Sequence, residues 1–259
     1  MQLITIPTLK AGLAALGLRK GQRVLMHCSL SAFGRIQGGA ETMLYALTET
    51  IGPEGLIAMP TFTPGRFDPS EWTQPPVPES DWQRYRFETP LFDSRRTPVD
   101  WDMSQLYELF RTWPNVFRSN HSHSSFAAWG AGAAQILHQH HLEDRFGESS
   151  PLARLYDEDA EVLFLGTDYS TNTAFHLGEY RVADPPRRSF LSVQETAGKK
   201  RLIQYEDVAT NSGIFTEIGA DFETAGHLLA TNQIGAATCR RFKLRSAVDF
   251  AADWLARKY

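Results

Sequence analysis

The chain has 259 residues, and 42% of them are hydrophobic, which is enough for one large domain or two small ones. Its formal net charge at pH 7 is -4, so it lacks the basic footprint expected of a nucleic-acid-binding protein. No stretch approaches the ~20 apolar residues of a membrane span, no secretion pattern opens the sequence, and two widely separated cysteines favour reduced thiols. We therefore expect a cytoplasmic protein with neither a membrane nor a nucleic-acid partner.

The first sixty residues alternate between helical and strand patterns. Leucines at positions 9, 13, 16 and 18 predict an amphipathic helix over 8–18. Apolar runs predict buried strands over 23–28 and 56–60, and apolar spacing predicts a second helix over 40–51 between them. This strand–helix–strand order predicts parallel strands joined by a right-handed crossover.

Residues 64–103 interrupt this pattern with seven prolines and poor hydrophobic periodicity. A span of this length without regular structure is usually a functional loop or an excursion from the domain. It holds eight acidic and five basic residues together with several aromatic ones, and such a surface suits a cationic, hydroxylated ligand. The alternative is a solvated loop that its tryptophans merely pin to the domain.

The rest of the chain returns to short alternating elements, which together indicate an α/β fold. Further helices are predicted over 106–113, 131–140 and 151–157, and a core helix closes the chain near 248–255. Further strands are predicted in the second half of 118–130, over 161–166 and over 201–205.

The segment 161–180 carries the clearest candidate for catalysis. A buried strand ends at Gly166, and a polar turn leads into a helix that Asn172 or Thr173 can cap. His176 and Glu179 then lie three residues apart on one helical face, within side-chain reach. A histidine oriented by a carboxylate is the minimum apparatus for general-base catalysis. A surface His–Glu pair without a catalytic role is the alternative.

Five segments carry a shared pattern of small, polar and apolar residues. They are 27–34 followed by Gly38 and Gly39, then 55–63, 108–128, 147–152 and 165–179. Taken in this order, they resemble the aminoglycoside 3-N-acetyltransferase family. The resemblance extends over about residues 5–255. Three positions depart from the usual family pattern, with Ser122 in place of proline, Ser149 in place of glycine and Cys28 in place of a frequent serine.

The resemblance implies a single acetyltransferase domain over 1–259, with a mixed central sheet flanked by helices and the loop-rich excursion at 64–103. It implies direct transfer from acetyl-CoA, without an acyl-enzyme, to the 3-amino group of an aminoglycoside, which confers antibiotic resistance. One alternative is N-acetyl transfer to another amine, such as an aminophosphonate or a metabolite, and a non-catalytic coenzyme A or aminoglycoside-binding protein is a second. A hydrolase with Ser125 or Cys28 as nucleophile is disfavoured, because no GxSxG elbow surrounds either residue. A monomer and a homodimer both remain open.

Within this family reading, His176 is the candidate base and Glu179 orients it, while Thr61 and Ser125 are candidate donors to the oxyanion of the tetrahedral intermediate. The acetyl-CoA site is expected where strands end in small residues and where backbone can approach the pantetheine arm and the diphosphate. Its candidate residues are Ser29, Leu30, Ser31, Arg35, Gly38, Gly39, Ser125 and Phe126.

The acceptor is a polycation, so acidic residues are expected to hold its ammonium groups, with aromatic side chains against its sugar rings. The candidates are Glu79, Asp81, Trp82, Glu108, His121 and Asp221. No metal is expected, because the histidines at 121, 123, 138, 140 and 141 have no third ligand at a convincing spacing. Those at 138, 140 and 141 are predicted to form a solvated helix end.

Overall fold

The computed structural model describes residues 3–72, 75–100 and 103–258. Residues 73–74 and 101–102, which belong to the predicted excursion, lie outside the described residues.

Helices and strands alternate along most of the chain. The described helices are α1 (Ile6–Ala15), α2 (Gly39–Ile51), α3 (Glu79–Glu88), α4 (Gln105–Arg111), α5 (Ala133–Leu137), α6 (Pro151–Asp157), α7 (Ala174–Tyr180), α8 (Phe215–Thr224) and α9 (Leu244–Lys258). The described strands are β1 (Arg23–Cys28), β2 (Leu56–Pro60), β3 (Val116–Arg118), β4 (Phe126–Gly130), β5 (Glu161–Leu165), β6 (Arg187–Thr196), β7 (Lys199–Val208), β8 (Leu228–Ile234) and β9 (Ala237–Lys243).

A mixed seven-stranded sheet runs through the molecule in the order β3-β4-β2-β1-β5-β9-β8. The central strands β2, β1 and β5 are parallel, and β4 and β9 pair antiparallel to them on either side. Strands β6 and β7 form a separate antiparallel hairpin. The predicted α/β fold with a mixed sheet flanked by helices is confirmed.

The central strands are almost wholly buried because helices cover both faces of the sheet, and this is why their sequences read as continuous apolar runs. Alternate residues feed two separate cores. Leu25 and Ala58 belong to the core that contains α7 and α9, whereas Met26 and Met59 belong to the core that contains α1 and α2.

Because β1, β2 and β5 are parallel, their carboxyl ends at Cys28, Pro60 and Leu165 meet along one edge of the sheet. Gly166 ends β5 with a φ of 70°, and a Cβ there would lie 2.7 Å from the Ala32 Cβ in the loop after β1. A glycine is therefore required where these two strand ends approach each other. Ligand sites of open α/β sheets lie along such an edge.

Three sequence-based expectations differ from the structure. The excursion is not entirely a loop, because it contains the ten-residue helix α3. The helix predicted over 131–140 is limited to Ala133–Leu137, since His138 has extended backbone angles. The strand-like segment 201–205 is part of a longer strand, paired residue by residue with β6. Among the described residues, no helix combines the length and the apolar character needed to cross a membrane.

Candidate active site

A cleft of about 940 Å³ opens at the carboxyl edge of β1, β2 and β5, and we call it the main cleft. It collects side chains from the loops after these three strands, from α7 and from the segments that precede α6 and α8. The described lining residues are His27, Cys28, Ser29, Leu30, Ser31, Pro60, Phe62, Pro64, Phe67, Met103, Ser104, Gln105, Tyr107, His123, Ser124, Arg145, Phe146, Thr167, Ser170, Thr171, Thr173, His176, Thr210, Ser212 and Phe215.

The predicted histidine–carboxylate pair lies in the wall of this cleft. The His176 Nδ1 is 2.6 Å from the Glu179 Oε2, and the other carboxylate oxygen accepts a hydrogen bond from the Asn211 backbone N–H at 2.6 Å. An ionised carboxylate only accepts hydrogen bonds, so Nδ1 carries the proton of the neutral imidazole and Nε2 keeps its lone pair. Nε2 is therefore the nitrogen left for a substrate.

Two aromatic rings fix the position of the imidazole. Phe146 stacks on His176 with ring centroids 4.4 Å apart and an interplanar angle of 12°, and Phe215 lies 4.8 Å away on a tilted plane. Thr173 is the N-cap residue of α7 but makes no capping hydrogen bond with its side chain, and the Asn172 side-chain oxygen accepts a hydrogen bond from the Ala174 N–H at 3.3 Å instead. Helix, carboxylate and stacked ring together leave the imidazole little freedom to rotate.

A second histidine, His27, lines the cleft at the end of β1 and was not predicted as a site residue. Its Nε2 is 3.2 Å from the Thr173 Oγ, which sits just before α7. Burial, reinforced by the nearby His176, lowers the pKa of His27 to about 3, so this ring is neutral at physiological pH. The sequence signal was its place next to the last residue of a central parallel strand.

Three further histidines form a buried cluster behind the cleft. His123 contributes to the lining and holds the Tyr205 hydroxyl at 3.1 Å, while His121 accepts backbone hydrogen bonds from His123 and Ser124 and lies outside the lining. The prediction of a solvated helix end was wrong for His140, which is 7% exposed and donates from Nε2 to the Arg145 carbonyl at 2.8 Å. Across the described ranges, no group of three or more histidine, cysteine or acidic side chains could hold a metal ion.

The residues predicted for the acetyl-CoA site divide into two groups. Ser29, Leu30 and Ser31 line the main cleft, directly after β1. The described lining does not include the remaining five, and two of them are fully buried in the interior. The five are Arg35, Gly38 and Gly39, at and before the start of α2, and the buried Ser125 and Phe126.

Thr61 and Ser125, the predicted oxyanion donors, use their hydroxyl groups within the protein. Neither side chain is exposed. The Thr61 hydroxyl donates to the Ser125 carbonyl at 3.1 Å, and the Ser125 hydroxyl donates to the Thr61 carbonyl at 2.7 Å. The Arg118 Nε donates to the Ser125 hydroxyl oxygen at 2.9 Å. These groups join the end of β2 to the residues beside β4, and neither Thr61 nor Ser125 is in the described cleft lining.

None of the six predicted acceptor residues is among the described residues of the cleft lining. Glu79, Asp81 and Trp82 lie on α3, where the Trp82 indole donates to the Val77 carbonyl at 3.0 Å. Glu108 pairs with Arg111, and Asp221 accepts a hydrogen bond from the Trp254 indole at 2.7 Å. His121 is in the buried cluster.

The described lining is instead rich in hydroxyl groups and aromatic rings. Histidines aside, Arg145 is the only charged side chain among the described lining residues, and none of these lining residues is a carboxylate. Arg145 is 5% exposed and pairs with the buried Asp207 at 2.9 Å, so its charge is compensated within the protein.

A histidine–carboxylate pair in a deep cleft, at the carboxyl edge of a parallel strand set, is typical of α/β enzymes that move protons. Residues 25–256 match the family model described as aminoglycoside 3-N-acetyltransferase. The chain belongs to this family and is an acyltransferase, and the resemblance noted in the sequence is confirmed.

Individual relatives agree with this assignment. The SPbeta prophage-derived aminoglycoside N(3')-acetyltransferase-like protein YokD of Bacillus subtilis (strain 168) is 42% identical over 93% of this chain and 89% of its own length. Its crystal structure superposes with a TM-score of 0.96 at 40% identity, covering 99% of this chain and 95% of that one. A structure of AAC-IIIb in binary complex with CoASH matches with a TM-score of 0.88 at 27% identity, over 100% of this chain and 98% of that one.

Proposed function

We propose that this protein transfers the acetyl group of acetyl-CoA to the 3-amino group of an aminoglycoside, with His176 as the general base. The 2.6 Å contact between the His176 Nδ1 and the Glu179 Oε2, in the wall of the main cleft, carries the proposal. It leaves the Nε2 lone pair available to the acceptor.

The chemistry follows from the state of the acceptor. An ammonium group has no lone pair, so the amine must lose a proton before or during its attack on the thioester carbonyl. The ammonium gives this first proton to solvent, and the His176 Nε2 takes a second proton from the amine nitrogen as the N–C bond forms. Glu179 stabilises the resulting imidazolium through Nδ1. Collapse of the tetrahedral intermediate breaks the C–S bond, and the imidazolium returns its proton to the departing coenzyme A thiolate. No acyl-enzyme forms.

Ser29, Leu30 and Ser31 are the part of the predicted donor site that lines the main cleft, and we place the pantetheine arm beside them. The likeness to the AAC-IIIb structure that holds CoASH supports acetyl-CoA as the donor. Because acetyl-CoA is a cytoplasmic metabolite, we place the protein in the cytoplasm, as one domain that acts as a monomer or a homodimer. Acetylation of an aminoglycoside there gives the cell resistance to it.

The first test is thiol release from acetyl-CoA in the presence of gentamicin, with the wild type compared to His176→Gln. Loss of a general base lowers kcat by about 10²- to 10⁴-fold. Binding of coenzyme A, measured by calorimetry, is expected to persist. His138→Gln, at an exposed histidine away from the cleft, is the matched control and should retain the wild-type rate. An unchanged rate of thiol release in His176→Gln contradicts the role of His176 as the general base. Coenzyme A binding by the wild type without any thiol release supports a non-catalytic binding protein.

An acceptor other than an aminoglycoside is the second candidate, because no carboxylate lines the described part of the cleft. A polycationic acceptor normally meets carboxylates, and its KM rises steeply with salt because screening weakens these contacts. Turnover with gentamicin at a strongly salt-dependent KM supports the first candidate. Turnover confined to amines with a single positive charge supports the second.

A further inference from the structure

The hairpin of β6 and β7 stands apart from the main sheet, yet the end of β7 contacts the segment and the helix that surround His176. Asp207, the penultimate residue of β7, is completely buried. Its carboxylate oxygens accept hydrogen bonds from two different parts of the chain, so the residue joins elements that are distant in sequence.

The first of these parts is the segment before α6. The Arg145 Nε donates to the Asp207 Oδ2 at 2.9 Å, the Arg145 backbone N–H reaches the same oxygen at 3.2 Å, and the Arg145 Nη2 donates to the Val208 carbonyl at 2.8 Å. The next residue is Phe146, whose ring stacks on His176. Asp207 therefore fixes the backbone that presents this ring.

The second part is α7, the helix that carries His176 and Glu179. The Tyr180 hydroxyl donates to the Asp207 Oδ1 at 2.7 Å, and burial together with this carboxylate raises the pKa of Tyr180, so its phenol remains a donor. Four residues beyond Asp207, the Asn211 N–H donates to the Glu179 Oε1. The end of β7 thus holds both α7 and the orienting carboxylate.

We propose that Asp207 is a positioning residue for acetyl transfer, which fixes Phe146 and α7 relative to each other and thereby holds the Phe146 ring against the His176 imidazole. The inference rests on the role proposed for His176. Two anchors at one buried carboxylate set the distance between the helix and the stacked ring. Without them, the Phe146 ring and the imidazole separate, and the base no longer meets the acceptor in a single orientation.

Asp207→Asn and Tyr180→Phe test this at two levels. The first keeps the shape of the side chain but leaves the Arg145 charge uncompensated, and the second removes a single hydroxyl. Glu161→Gln is the matched control, because Glu161 is also a buried carboxylate, paired with Arg241 at 2.7 Å, but lies at the start of β5, at the opposite edge of the sheet.

Two readouts are taken on each purified protein, beside its thermal midpoint. The first is the NMR chemical shift of the His176 ring protons, identified by their loss in His176→Gln and sensitive to the stacked ring. The second is kcat and both KM values for acetyl transfer. We expect Asp207→Asn to move the ring-proton signals toward unstacked values and to lower kcat about 10- to 100-fold with little change in the donor KM. Tyr180→Phe should change both in the same direction, by less.

The outcomes separate this inference from the proposed function. If Glu161→Gln lowers the thermal midpoint but leaves the ring protons and kcat unchanged, loss of a buried ion pair alone does not explain the effect of Asp207→Asn. If the His176 ring-proton signals move in the variants but the wild type turns over no acceptor, the result supports the positioning role and contradicts the proposed reaction. Unchanged ring-proton shifts in Tyr180→Phe and in folded Asp207→Asn overturn the positioning role. If Asp207→Asn does not fold, Tyr180→Phe alone decides.

Discussion

Glu179 accepts hydrogen bonds at both carboxylate oxygens, from the His176 Nδ1–H and from the Asn211 N–H. An amide at this position offers one acceptor and one donor. In Glu179→Gln, a donor therefore faces a donor at one of the two contacts, and the imidazolium loses its negative partner. We expect kcat to fall by about 10²-fold or more, with the donor KM nearly unchanged.

Steady-state thiol release measures this directly. Glu148→Gln is a suitable control, because Glu148 is an exposed acidic residue that pairs with Arg181 at 2.8 Å, on the C-terminal side of α7. A Glu179→Gln enzyme with a kcat within twofold of the control shows that Glu179 neither orients nor stabilises the base.

The residues of the site differ in how far the sequence predicted them. His176 and Glu179 were found because both lie on one helix, where a spacing of three residues sets their proximity. His27, Phe146 and Asp207 come from separate elements, and their meeting depends on strand order and loop paths that local patterns do not encode. The predicted acidic residues of α3 were assigned by charge alone, and charge does not indicate which surface a helix occupies.

At the level of elements, local patterns predicted β1, β2, β5 and α6 well because the central strands are continuously apolar and Pro151 starts its helix. They missed α3, whose sequence has no apolar face and no buried side chain. They found only part of β7, because its ten-residue pairing with β6 depends on a partner strand that was not predicted. The missed helix therefore lacks the apolar pattern that marks a helix in a sequence, and the strand found only in part owes its length to its partner strand.

The position of α7 depends on its close packing against α9. At Gly178, a Cβ would lie 2.8 Å from the Ala251 Cβ and 2.9 Å from the Val248 carbonyl oxygen. We expect Gly178→Ala to lower the free energy of unfolding by about 1 kcal/mol, because an overpacking cost of about 1–3 kcal/mol exceeds the gain in helix propensity of about 1 kcal/mol. Since α7 also carries His176, kcat should fall as well.

A double-mutant cycle identifies the cause. Ala251→Gly removes the nearest atom, so the double variant should be more stable than the two single effects predict, by about 0.5 kcal/mol or more. Urea unfolding of the wild type and the three variants gives the four free energies of the cycle. Strictly additive effects contradict the packing explanation.

Over the whole molecule, the buried histidines make the free energy of unfolding depend on pH. Burial lowers the pKa of His27 and of His123 to about 3 and that of His140 to about 4. In an unfolded chain, a histidine titrates near ~6.5. Below that pH the unfolded state binds protons that the folded state excludes, so these residues destabilise the fold in acid. The free energy of unfolding therefore has its full value above pH ~6.5, and these histidines lower it as the pH falls toward their pKa values in the folded state.

Each such group changes the free energy of unfolding by about 1.4 kcal/mol per pH unit once the unfolded state is protonated, so the three together give about 4 kcal/mol per unit below pH ~6. This is a large part of the roughly 5–15 kcal/mol that stabilises an ordinary domain.

Urea unfolding at pH 7.5, 6.5, 5.5 and 5.0 should show a steep decline in the free energy of unfolding only below pH ~6.5. In His140→Gln, the amide can still donate to the Arg145 carbonyl but does not titrate, so the slope should be smaller by about 1.4 kcal/mol per pH unit. A slope equal to that of the wild type below pH 6 shows that His140 accepts its proton without unfolding, and that the acid sensitivity has another origin.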